Sequence, residues 1–165
     1  MKAYADTNFL ARLYLPQLQN NDALALVAEV RAGKVELLPI TWLLQIELTG
    51  ALELYVYCGS QGQYPRVTRE QAAVAHHDFE SDLGDGLLYE MADVDRQHLV
   101  RQTTTLARRH TAKYGHRTYD LIHVGSALEL DCAAFWTFDR RAAQLAEREG
   151  LKVPARLKSA MKNLR

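Results

Sequence analysis

The chain has 165 residues, 48% of them hydrophobic and 24% charged, and its 20 Lys and Arg balance 20 Asp and Glu. This suits one globular domain with a single sizeable core, and zero formal net charge excludes a global basic footprint for nucleic acid while leaving room for a local patch. Two cysteines, Cys58 and Cys132, make no disulfide framework, and with neither a long uncharged apolar stretch nor a signal-peptide pattern the expectation is a cytoplasmic protein outside the membrane.

The first element reads as a buried strand over residues 2–6, ending in Asp6. Thr7 and Asn8 suit a helix start, Pro16 interrupts that helix, and a second runs over residues 20–31 to Gly33. "VELLPI", residues 35–40, is apolar and short enough for a strand. Residues 42–57 turn helical, with Leu43, Ile46, Ala51, Leu54 and Tyr55 recurring near helical spacing, and "CGSQGQYP" is a loop. Thr68 followed by Gln71 matches a capping box, and "GLLYEM" is a short strand. Asp95 caps a helix to about Tyr114, "YDLIHVGSALEL" is another, and "CAAFWTFD" is an apolar strand ending in Asp139. "RRAAQLAEREG" is a helix closed by Gly150, and residues 151–153 form a last strand. This alternation predicts a single α/β domain with a mostly parallel sheet, where ligand sites lie beyond the carboxyl ends of the strands.

Four acids sit in telling places. Asp6 and Asp139 each end an apolar strand, so parallel strands would carry both carboxylates to one edge of the sheet. Glu47 stands in an otherwise apolar helix, and Asp120 opens the helix "DLIHVGSAL". Each has a plain structural reading: Asp6, Asp139 and Asp120 as helix N-caps, Glu47 as one exposed position on an amphipathic helix. If the four converge, mutual repulsion raises some of their pKa values unless a cation neutralises them. Hard oxygen ligands favour Mg²⁺ or Mn²⁺, which stabilise in-line displacement at a phosphodiester.

"YADTNFL", the Glu47 helix after "LLPIT", "RTYDLIHVGSALEL" and "FWTFDRRAAQLAEREGLKV" together resemble a PIN domain, in particular a VapC-type toxin ribonuclease. The matching blocks keep the family's order across nearly the whole chain; the stretch 117–153 is the most specific and 58–116 the least. The resemblance implies a PIN-like three-layer α/β/α domain with Asp6, Glu47, Asp120 and Asp139 at the four acidic positions, where they are both metal ligands and catalytic groups. Thr137 and Asn8 match supporting positions. It further implies a Mg²⁺- or Mn²⁺-dependent endoribonuclease, dimeric and held inactive by a cognate antitoxin.

Other features have competing readings. His123 is three residues after Asp120 on the same helix, so it is either a metal ligand or, more simply, a buried neighbour of the site. "HHDFESD" lacks the calcium-loop glycine and closing glutamate and reads as a solvated helix face. Arg108, Arg109, Lys113 and Arg117 could hold RNA phosphates or be an ordinary wet surface. The basic tail from Arg156 to Arg165 could do the same or lie disordered. Cys58, Cys132, Trp42 and Trp136 read as apolar packing. Two other functions compete: a non-catalytic PIN-like module that binds RNA or a partner, and a haloacid-dehalogenase-like phosphatase, which would need an acid where Asn8 stands.

Overall fold

The computed structural model describes residues 1–163 of the chain. Its strands are β1 (Ala3–Ala5), β2 (Leu38–Ile40), β3 (Tyr89–Met91) and β4 (Ala134–Trp136). The helices are α1 (Thr7–Tyr14), α2 (Asn21–Arg31), α3 (Trp42–Ser60), α4 (Arg69–Asp85), α5 (Arg96–Leu106), α6 (Ala112–Tyr114), α7 (Thr118–Glu129), α8 (Arg140–Arg148) and α9 (Ala155–Asn163). A π-helical stretch, Ala107–Thr111, joins α5 to α6.

Four three-residue strands form two parallel pairs, β1 with β4 and β2 with β3, and β1 packs beside β2. Lys152 adds one parallel bridge to Ala134 where the sequence predicted a full strand. The strands are short and buried along their lengths, apart from the exposed end of β3, as parallel strands covered on both faces require. Helices α1, α3 and α4 pack together with α2 and α9, whereas α7 packs against α5 and α8. The result is an α/β fold consistent with three α/β/α layers.

The core is led by Tyr4, Phe9, Phe135 and Trp136, all fully buried. Tyr4 stacks on Phe135, and Phe9 leans on Trp136. Helix starts follow the expected chemistry. Thr68 and Gln71 form the reciprocal capping box of α4, Asn20 caps α2 and Asp95 caps α5. Gly86 closes α4 in the left-handed conformation, φ +65°, which glycine adopts without a Cβ clash.

Several expectations need correction. Trp42 is not core but 54% exposed, and Ile46 and Leu54 also face outward. The side of α3 turned to the core is Leu44, Leu48 and Leu52 instead. The tail is a helix as far as Asn163, with Leu157 and Met161 buried, Arg156 paired to Glu29 and Lys158 to Glu147. The rest of that stretch, Leu164 and Arg165, lies outside the described residues. Trp136 and Cys132 are buried as expected, and "HHDFESD" is a largely solvated face of α4 with only Phe79 turned inward.

Candidate active site

The register of β1 on β4 sets the first part of the site. Ala5 pairs with Trp136, and the Asp6 amide extends the ladder by donating to the Trp136 carbonyl at 3.1 Å. Asp6 and Thr137 therefore leave their strands side by side, with Asp139 two residues further on. Both acids then turn into helices. Asp6 Oδ1 accepts from the Phe9 amide at 2.9 Å, and Asp139 Oδ1 accepts from Arg141 and Ala142 at 2.7 and 3.2 Å. The capping reading of these acids is thus correct, and it leaves the other oxygen of each carboxylate outside the cap.

Thr137 is fully buried, and its hydroxyl accepts from the Asp139 amide at 2.9 Å. Asp6 is 5% exposed, and burial pushes its carboxyl up to about 6. Asp139 adds to that rise, while His123, Thr137 and the Phe9 amide oppose it.

The third acid arrives on α3. Thr41 caps that helix by accepting from the Leu44 amide, and burial of Leu44, Leu48 and Leu52 fixes its roll. Glu47 then points at the start of α1, where its Oε2 accepts from the Thr7 hydroxyl and meets His123 Nε2. Burial alone would raise its carboxyl, but the His123 bond and charge together with Thr7 hold it below the usual carboxylate range. The other ring nitrogen of His123, Nδ1, is 2.9 Å from the Tyr4 hydroxyl. Tyr4 is buried completely, so a chain of contacts runs from the sheet through His123 to Glu47.

The fourth acid opens α7, whose Leu121, Val124 and Ala127 face the core. Asp120 Oδ2 accepts from the Arg117 amide at 3.0 Å. One cavity of about 230 Å³ is lined by all four acids together with Thr7, Asn8, Arg117, Tyr119 and His123. Among the described residues Asn8 Oδ1 is buried with no partner.

The four acids share this cavity without converging on a point. Among the described residues no group of three or more His, Cys, Asp or Glu side chains is arranged to hold a metal ion. The reason is visible in their bonds: one oxygen of Asp6, Asp120 and Asp139 is drawn to a helix amide, and Glu47 is drawn to His123 and Thr7.

Of the four basic residues singled out in the sequence, only Arg117 lines the cavity. Arg109 is held by Glu149 at 3.0 Å, and Lys113 lies over the Tyr114 ring. Arg108 is exposed. Sequence reasoning missed Tyr4 and Thr7 as contacts of the site. Thr7 adjoins Asp6 and could have been marked on that ground, whereas nothing local links Tyr4 to a histidine 119 residues away.

No protein-family model matches the chain, and no curated protein sequence matches it. Among solved structures, PAE2754 from Pyrobaculum aerophilum is similar at 16% identity, over 99% of this chain and 95% of that one, with a TM-score of 0.56. A likeness at this identity speaks to the fold alone. Among the described residues no helix is long and apolar enough to cross a membrane.

Proposed function

We propose that the chain is a divalent-metal-dependent endoribonuclease of the PIN-domain kind, acting as the toxin of a toxin–antitoxin pair, with RNA as substrate and a cognate antitoxin protein as its inhibitor. The observation that carries this reading is the gathering of Asp6, Glu47, Asp120 and Asp139, from four separate stretches of chain, around one cavity beyond the carboxyl ends of β1 and β4.

The residues fit a hard cation by the chemistry of their donors. All four acids offer oxygen, the buried Asp6 carboxyl is raised by desolvation, and the Asn8 side-chain oxygen is buried and has no partner among the described residues. Asp6, Glu47, Asp120 and Asp139 would hold Mg²⁺ or Mn²⁺. When bound, such an ion supplies charge neutralisation and Lewis-acid polarisation of a phosphate oxygen. The chain's own groups do the rest. Arg117 sits at the cavity to pair with a phosphate of the RNA backbone. His123, braced by Tyr4, orients Glu47, and Thr137 holds the Asp139 backbone through its amide.

The dispersed carboxylates favour a second reading, a PIN-like module that binds RNA or a protein without cutting it. Cleavage of mixed structured and single-stranded RNAs by the purified protein separates the two. The expected result is cutting in Mg²⁺ or Mn²⁺, none in EDTA, and a loss of at least about 100-fold in Asp6→Asn and in Asp120→Asn. Cutting that survives EDTA or both substitutions would refute the site. RNA binding by a folded wild type with no cleavage in either metal would favour the binding module.

A further inference from the structure

The acidic cavity has a neighbour. A second cavity of about 240 Å³ adjoins it along α3, and Ala51 and Tyr55, one helical turn apart, line both. The two differ in chemistry. The first gathers four carboxylates; the second has none, and its walls are Leu54, Cys58, Gln63 and Tyr64 besides the shared pair.

Tyr64 is 82% exposed, yet it does not hang loose. Its hydroxyl donates to the Gln17 carbonyl at 3.3 Å, and the preceding residue is tied back to α3 by the Gln63 amide, which donates to the Cys58 carbonyl at 3.0 Å. Further along the same loop the Val67 backbone lies close against Gly59. A ring held by its hydroxyl and otherwise open to solvent is a platform for another flat ring.

Charge changes between the cavities too. Arg12 lies on α1 one turn beyond Asn8, so it shares the side of that helix turned toward the site. Its guanidinium sits 5.1 Å from the centroid of the Phe138 ring and interacts electrostatically with the hydroxyls of Tyr55 and Tyr64. Among the described residues its Nε is buried without a hydrogen-bond partner, and it belongs to no salt bridge. A cation that no carboxylate claims can pair with a phosphate.

A phosphodiester held at the acids has an adjacent base within reach of the second cavity, because the two cavities share a wall. Every base has a flat face that stacks on an aromatic ring, whatever its sequence. In a duplex those faces are already stacked on other bases, so only an unpaired nucleotide can enter. We propose that the cavity of Tyr55 and Tyr64 is a nucleobase subsite, which stacks one unpaired base of single-stranded RNA beside the phosphodiester held at the acids. It rests on the reading of RNA as the substrate, and it adds the form that the RNA must take.

The test is fluorescence anisotropy of a short end-labelled RNA, single-stranded or annealed to its complement, titrated with the full chain. The buffer holds Ca²⁺, a hard cation for the acids, and the length of the RNA is checked on a gel afterwards. Wild type should bind the single strand at least tenfold tighter than the duplex. Tyr64→Ala should lose at least fivefold on the single strand alone, and Tyr64→Phe, which keeps the ring, should match wild type. Tyr57→Ala, exposed on α3 outside both cavities, should change nothing. Circular dichroism checks that each variant is folded. A second probe needs no change in the fold: an abasic strand of the same length should bind wild type and Tyr64→Ala equally. Binding that follows this pattern without cleavage in Mg²⁺ or Mn²⁺ keeps the subsite and refutes the nuclease. Cleavage by a protein that binds single strand and duplex alike, or whose Tyr64→Ala variant matches wild type, keeps the nuclease and overturns the subsite. Failure to bind RNA in either form overturns the subsite as well.

Discussion

Glu47 and His123 hold each other in a partly buried pocket, with Tyr4 behind the imidazole and Thr7 beside the carboxylate. Two side chains in that setting are fixed in orientation, because each has a second partner that a rotation would break. Asp6 stands differently: it is buried beside another acid, and His123 is the largest of the influences that oppose the rise. Its carboxyl moves from an ordinary 3.8 up to about 6. An acid whose folded value is raised contributes stability that is complete below the unfolded value and is lost as pH rises through the folded one. In EDTA, wild type should therefore lose up to roughly 3 kcal/mol between about pH 4 and pH 7 that Asp6→Asn keeps. Asparagine still caps α1, so the comparison isolates the charge. Urea unfolding at the two pH values measures it, and parallel changes in the two proteins would remove the assignment.

Among the elements, α3 does the most varied work: one side is core, Glu47 reaches the site, and the C-terminal turn meets the chain that follows. Gly59 lies in that turn, where an added Cβ would come within 2.9 Å of the Val67 amide nitrogen and 3.0 Å of its carbonyl oxygen. These are backbone atoms and cannot rotate away. Gly59→Ala should cost about 1–3 kcal/mol, as overpacking does. Gly84, exposed in α4 with nothing within 4 Å of a built Cβ, makes the contrast: Gly84→Ala should gain up to about 1 kcal/mol. Thermal melts of the two single variants check the pair, and equal shifts in one direction would refute the packing argument.

The same helix shows what the sequence conceals. Apolar residues occur all round α3, so spacing alone could not say that Leu44 and Leu48 face inward while Trp42 and Ile46 do not. Helix α9 was hidden for another reason: four of the ten residues from Arg156 to Arg165 are Lys or Arg, and they mask the inward pair Leu157 and Met161. The π-helical stretch between α5 and α6 has no marker in the sequence that we can name. By contrast, the strand ends were readable, because an apolar run that stops at an acid followed by helix formers is the ordinary signature of a strand turning into a helix. Asp6 and Asp139 were placed in this way, and the caps of α4 and α5 by their side chains. The pairing of Glu47 with His123 was not readable, since it spans 76 residues and depends on how two helices roll.

At the scale of the whole molecule, net charge is zero while one cavity concentrates four carboxylates against Arg117 and His123. That imbalance gives a divalent cation something to relieve, and a ligand that binds only the folded state raises its stability. Mg²⁺ or Mn²⁺ should raise the melting temperature by a few degrees in a concentration-dependent way. The shift should vanish in Asp6→Asn and be absent when a monovalent salt of equal ionic strength replaces the divalent one. Differential scanning fluorimetry reads this directly, and identical shifts with both salts would sink the idea.

The pairing of β1 with β4 has a consequence in time as well as in space. Ala3 and Ala134 are neighbours in the sheet, yet they stand far apart in the chain. While the protein is being synthesised, Asp6 emerges early and waits without Thr137 or Asp139, and Asp120 emerges only shortly before they do. The acidic cavity is thus assembled only after Asp139 has emerged, and a chain interrupted between residues 48 and 119 carries Asp6 and Glu47 but no site.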